Sequence, residues 1–344
     1  MLQNIKQPAS IYKNQLHNWI EHLVCNVWCE ASLVCTAESL LMADFKKLYT
    51  KYEWLKRDID DIYTLCSKLS VASKRKIKDA FIKTNQIEKL CENDVQLVML
   101  DKLPNVVKLK MKPFFENLYK DLLDKKLSPI SKMEYYKELQ SLNNFINCPC
   151  CGYMPFEGVF SKNREDLDHF FSKAHFPFAS INLNNLSPLC GKCNSDNKRD
   201  FNPVLGKLGQ ERKAFYPYQA NPTNIQIEIT LSKDFTNIIQ DILVNNLNPK
   251  ISQKQIKITL KGGEQDKVNT WNELYNIKSR YFDRTQGFTN SVLKKIFKKK
   301  TKLGDYSAAI KEYIDEIDHE LYVHEHFIQI PFVTALDLQL NNSI

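Results

Sequence analysis

Cys148-Pro149-Cys150-Cys151-Gly152, then Asp166-Leu167-Asp168-His169, then Cys190-Gly191-Lys192-Cys193-Asn194: these three pieces of sequence decide how the chain is read. Cys148/Cys151 and Cys190/Cys193 are C-x-x-C pairs, the spacing with which two thiolates reach one ion from a tight turn. Gly152 relieves the backbone after the first pair. Cys150 also lies in that pair, but only Cys148 and Cys151 give the usual spacing. The 38 residues between the pairs exceed the roughly 15–20 of a compact zinc ribbon. The insert must therefore hold structure of its own, such as a β-hairpin. The plain alternative is four unrelated thiols.

A chain of 344 residues with 43% hydrophobic and 26% charged residues fits a globular protein of two or three domains. No apolar run reaches the roughly 18 residues of a membrane span. The start, Met1-Leu2-Gln3-Asn4-Ile5-Lys6, has no apolar segment followed by a small-residue cleavage site. A cytoplasmic location is the expectation. Ten cysteines are too sparse for a disulfide scaffold, and in a reducing compartment the paired ones favour a metal. The net charge of +8 is compatible with a polyanionic partner without being diagnostic. Only nine glycines occur, and neither G-x-x-x-x-G-K-[ST] nor G-x-G-x-x-G is present. Binding of ATP or a dinucleotide through those motifs is excluded.

The expected fold class is α+β in three parts. Residues 1–145 read as a helical domain for partner or nucleic-acid interaction. Leu16, Trp19, Ile20, Leu23 and Val24 recur at helical spacing, as do Phe45, Leu48 and Tyr49, then Ile59, Ile62, Tyr63 and Cys66. Ser131 with Glu134 is a capping-box signal before Tyr135 and Leu139. Residues 146–217 form the turn-rich, cysteine-bearing module. Residues 218–344 form a mixed region. Ile225–Leu231 and Gln255–Leu260 alternate as strands, with a helical stretch at Ile238–Asn245 between them. Helices are expected around Thr270–Tyr281 and Tyr306–Tyr322, and the tail from Phe327 reads as a strand until Pro331. Cys25, Cys29, Cys35, Cys66 and Cys91 read as ordinary core thiols.

Asp168-His169, then Asn185-Leu186-Ser187-Pro188-Leu189-Cys190, then Cys193-Asn194, resembles an HNH endonuclease of the ββα-metal class over about one seventh of the chain. The resemblance implies phosphodiester hydrolysis leaving a 5′-phosphate, a structural Zn²⁺ on the four cysteines, and Asn185 holding the loop that carries His169. Phosphodiester hydrolysis needs a base for water and a cation at the phosphate. His169 is the candidate base. Asp168 and Asn194 offer oxygen donors for one hard cation, Mg²⁺ or Mn²⁺. Taken alone, Asp168 could pair with a basic side chain, His169 could be a hairpin histidine, and Asn194 could be a helix cap. Asp166 reads as a surface or supporting acid. The wording of the segment also resembles effectors of bacterial anti-phage systems, nearest to Septu-type nuclease subunits, which implies a separate ATPase partner.

Two departures from the family pattern bear on the local backbone. Ser172 stands where many members have Pro, and the usual C-N-x-x-K ending is stretched to Asn194-Ser195-Asp196-Asn197-Lys198. Candidate substrate contacts are Lys173, His175 and Lys198, together with Lys294 and Lys298 from an acid-free lysine run ending at Lys302; a solvated surface is the alternative for each. DNA is the expected substrate, with RNA not separable from it. A non-catalytic zinc-stabilised binding module is the rival class.

Overall fold

The structure is a computed structural model that describes residues 2–125, 128–158, 160–161, 167–221 and 223–341. Asp166 lies outside the described residues. The architecture is α+β: a helical N-terminal region, a buried four-cysteine cluster, and a mixed C-terminal region, with two small antiparallel sheets. By contact density the chain forms two units, Asn4–Phe145 with Glu157–Asn221, and Met1–Gln3 with Ile146–Phe156 and Pro222–Ile344.

The first unit is mainly helical. The apolar spacing read from the sequence becomes the buried face of Gln15–His22, Ala43–Lys51 and Glu53–Ser67. The first of these runs on through a π-helical turn, Leu23–Trp28, which keeps Leu23, Val24, Val27 and Trp28 in the core. The capping box forms as expected: Ser131 Oγ accepts from the Glu134 amide at 3.1 Å, and Glu134 Oε2 accepts from the Ser131 amide at 2.8 Å. Its centre is an edge-to-face aromatic cluster. Phe115 lies 5.2 Å from Phe178 and 5.7 Å from Phe114, and Phe178 lies 5.6 Å from Phe81. Such pairs add about 0.5–1.5 kcal/mol each beyond burial. Phe178 belongs to the insert between the cysteine pairs, so that insert is built into the helical core. The expected hairpin is present as β1 (Leu167–His169) against β2 (Leu186–Pro188), with Asp168 opposite Ser187 and His169 opposite Leu186.

In the second unit β3 (Ile225–Leu231) pairs with β4 (Ile256–Gly262), Ile225 opposite Gly262 and Leu231 opposite Ile256. The helix Phe235–Leu243 connects them. Gln265–Tyr275 ends at Asn276, a left-handed residue at φ 52°, and Ile277–Leu303 starts anew there. The single helix expected over Thr270–Tyr281 is thus two. The tail is also corrected: His326–Asn341 is a helix with Pro331 inside it. Ile328, Phe332, Ala335 and Leu336 are buried, which is the i, i+4, i+7, i+8 pattern of a helix face. Pro331 is the sixth residue of this helix, past its first turn, so it removes one intrahelical hydrogen bond, the one to the Phe327 carbonyl. The first cysteine turn is locked in this unit. Trp271 Nε1 donates to the Cys150 carbonyl at 3.1 Å, and the Tyr281 hydroxyl donates to the Cys151 carbonyl at 3.0 Å. Gly152 has φ 78°, and a Cβ there would lie 2.5 Å from Leu2 Cδ2. Among the described residues no helix is long and apolar enough to cross a membrane.

His17 stacks on Phe81 with its Nδ1 shut off from water and unpartnered, and burial pushes the ring down to about 4. A base whose folded pKa lies below its unfolded value binds its proton less well when folded. Its contribution to stability is therefore complete above about pH 6.5 and declines as pH falls toward about 4. Urea unfolding of His17→Phe and the parent at about pH 7 and pH 5 is expected to show about 2 kcal/mol less acid destabilisation in the variant.

Candidate functional site

Cys148, Cys151, Cys190 and Cys193 are buried, and their sulfur atoms all lie within 4.8 Å of one another. A tetrahedral zinc with Zn–S of about 2.3 Å needs sulfurs roughly 3.8 Å apart, so the set fits the ion. Each pair sits on a turn of the same design. The Gly152 amide donates to the Cys148 carbonyl at 2.7 Å, and the Cys193 and Asn194 amides donate to the Cys190 carbonyl, both at 2.9 Å. Four protein ligands leave no open position, which marks a structural centre rather than a catalytic one. The other cysteines are not part of the set. Burial pushes the Cys25, Cys29 and Cys66 thiols up to about 11, 12 and 12, as expected of core thiols. Cys35 is exposed, which corrects its reading as a core residue.

The second cysteine turn continues as a π-helical turn, Lys192–Lys198. It carries Asn194 near its start and Lys198 at its end. Lys198 is fully buried: its Nζ lies 3.0 Å from Asp168 Oδ1 and donates to the His169 carbonyl at 2.8 Å. That corrects the reading of Lys198 as a substrate contact, because the longer C-N-x-x-x-K spacing turns the lysine inward beneath β1. Asp168 is 2% exposed. Burial raises its carboxyl above the usual carboxylate range, with the Lys198 ammonium opposing that shift. Its Oδ2 is buried and makes no hydrogen bond.

His169 donates from Nε2 to the Ser180 carbonyl at 2.9 Å. A carbonyl can only accept, so the contact fixes the Nε2–H tautomer and leaves the lone pair on Nδ1. Ser180 is itself tied to the helical core by its Oγ, which donates to the Phe115 carbonyl at 3.0 Å. Burial, then the nearby Lys173 ammonium, push His169 down to about 3, so the ring is neutral at pH 7. Asn185 is completely buried. Its Oδ1 accepts from the Phe171 amide at 2.7 Å, and its Nδ2 donates to the Phe171 and Ala179 carbonyls at 3.0 and 3.1 Å. It closes the loop after β1 at both ends and does not line the cleft.

Asp168, His169, Asn194 and Lys173 line one cleft of about 420 Å³. Tyr119, Lys120, Lys132 and Arg199 line it too, and sequence reasoning did not single them out. The exposed Lys120 and the adjacent Tyr119 carry no spacing signal that would have linked them to β1. His175 does not line this cleft: it is exposed, with Nε2 3.2 Å from Asp200 Oδ2. Lys294 and Lys298 lie on Ile277–Leu303 in the other unit, where Lys294 contacts Asn246 at 3.0 Å and Lys298 lines a separate cleft of about 370 Å³.

Two outcomes follow from the buried groups. Elemental analysis of the purified chain is expected to give about one zinc per molecule, and Cys190→Ser to lower both the zinc content and the melting temperature, the latter by more than about 10 °C. Lys198→Met strands the Asp168 carboxylate in the interior. It is expected to cost about 3–5 kcal/mol in denaturant unfolding, with the double variant Asp168→Asn/Lys198→Met recovering most of the loss.

Comparison with known proteins adds no relative: no family model, no curated protein and no solved structure matches the chain.

Proposed function

We infer that this protein is a metal-dependent endonuclease of the HNH kind, acting on DNA or RNA. The observation that carries the reading is the fixed tautomer of His169, which leaves the lone pair on Nδ1 in a ring that lines the same cleft as Asp168 and Asn194. Asp168 Oδ2, a buried acceptor without a partner, fits one hard oxygen-seeking cation, and Asn194 would supply a second oxygen. When bound, Mg²⁺ or Mn²⁺ would polarise the phosphate and stabilise the leaving oxygen. The chain's own groups do the rest. Nδ1 of His169 takes the proton of the attacking water as the new P–O bond forms and the bond to the leaving oxygen breaks. Ser180 holds the ring by its carbonyl, and Asn185 holds the loop. A phosphate anion in the cleft opposes the effect of Lys173 on His169, while the burial that lowers its basicity most remains. An anti-phage setting with an ATPase partner rests on the sequence resemblance.

A second reading, a zinc-stabilised binding module without catalysis, is favoured by one contact. Lys198 already neutralises Asp168, which weakens the pull of that carboxylate on a cation. Supercoiled plasmid and labelled RNA incubated with a panel of divalent ions separate the two. Nicking by the parent and a loss of more than about 10³-fold in His169→Ala, with zinc content and folding unchanged, is the expected result. Retardation of the nucleic acid without nicking supports the binding module, and full activity of His169→Ala sinks the proposed mechanism.

A further inference from the structure

The sequence gives the helices that precede the first cysteine pair only a general expectation of partner or nucleic-acid interaction and names no residue for it; in the structure they form one wall of the cleft. Tyr119 and Lys120 end the helix Lys112–Lys120, and Lys132 opens the helix Lys132–Asn143. Tyr119 is 9% exposed, and its ring lies edge-on to His169 with centroids 4.3 Å apart. Two ammonium groups lie over the same ring: Lys132 Nζ at 4.9 Å and Lys173 Nζ at 4.7 Å from its centroid. One of these lysines comes from the helical segment and the other from the loop after β1. The ring holds both at the cleft by cation–π attraction, about 0.5–1 kcal/mol for each at a wet site.

Among the described residues that line the cleft, cations outnumber carboxylates: Lys120, Lys132, Lys173 and Arg199 stand against Asp168. That carboxylate is already paired with Lys198 underneath. Lys132 is steadied further by Asp124 at 2.8 Å. Arg199 lines the cleft from a residue with φ 53° and ψ −124°, its Nε donating to the Asp196 carbonyl at 3.2 Å. This region is foreign to a residue with a side chain and costs about 1–3 kcal/mol. Strain of that size concentrates where a side chain must be aimed. Cationic groups drawn from separate segments of the chain to one cleft suit the several phosphates of a strand.

We propose that Lys120, Lys132, Lys173 and Arg199 form a phosphate-binding rim for a nucleic-acid strand, with Tyr119 as the platform that holds two of its lysines, so that the helical segment is part of the substrate interface. The rim rests on the endonuclease reading for its biological use, but its binding is measured without cleavage. The test is fluorescence anisotropy of labelled 20-nucleotide DNA and RNA, single- and double-stranded, over a salt series with no divalent cation added. Lys120→Ala and Lys132→Ala are each expected to weaken binding about five- to tenfold at low salt. Each should also flatten the slope of log affinity against log salt by about 0.7–0.9, one phosphate contact. Tyr119→Leu should weaken binding about threefold while Tyr119→Phe, which keeps the ring, does not. Lys76→Glu, an exposed charge reversal on the helix Val71–Thr84, controls for net charge and should have less effect than Lys120→Ala. Unchanged slopes in both lysine variants, or no binding by the parent chain, overturn the rim. Rim-dependent binding by a chain that cleaves nothing keeps the rim and removes the endonuclease reading. Cleavage with unchanged slopes does the reverse.

Discussion

Four sulfur atoms within 4.8 Å of one another and shut off from water cannot all carry charge without a cation among them. That constraint sets much of what surrounds them. A metal on the four sulfurs would fix the turn at Cys190–Cys193, which the Cys190 carbonyl already closes, and the turn leads the backbone through Asn194 to Lys198. Lys198 then meets Asp168 and the carbonyl of His169. A buried ammonium and a buried carboxylate each cost several kcal/mol to desolvate and are tolerated only together. The position of β1 therefore depends on a lysine that the second cysteine turn delivers.

A second set of contacts reaches the same strand from the helices. Phe178 packs among Phe81 and Phe115, and Ser180 hydrogen-bonds the Phe115 carbonyl. The Ser180 carbonyl in turn holds His169. Asn185 ties the loop at Phe171 and Ala179. The ring of His169 is thus oriented by a chain of contacts that ends in a rigid helical core. This kind of support sets the tautomer and direction of an imidazole.

What the sequence made legible was local. The cysteine pairs, the capping box at Ser131 and the helix faces around Trp19, Phe45 and Ile59 each depend on neighbours within a turn or two. Asn185 was legible through a motif, since its spacing from Cys190 marks it. Lys198 was not, because nothing in a polar stretch of Asn, Ser and Asp says that its last lysine turns inward. Tyr119, Lys120 and Lys132 were hidden for a different reason: they lie some way along the chain from Asp168 and meet it only through tertiary packing. The tail failed on periodicity. Phe327, Ile328 and Ile330 look like a strand over a short window, and Pro331 looks like its end. The helical repeat shows only when Phe332 and Leu336 are included.

The unit that holds the first cysteine turn is assembled from three separate stretches, Met1–Gln3, Ile146–Phe156 and Pro222–Ile344. The amides of Leu2 and Gln3 both donate to the Pro149 carbonyl, at 3.1 and 2.9 Å. These contacts close a very long loop, and its entropy must be met before any of them contributes. During synthesis, every residue of the helical unit, from Asn4 to Asn221, leaves the ribosome before most of the other unit exists. The cleft around His169 can therefore take shape on the nascent chain first, and the Leu2 carbonyl, which accepts from Thr223 Oγ1 at 3.1 Å, gains that partner only afterwards.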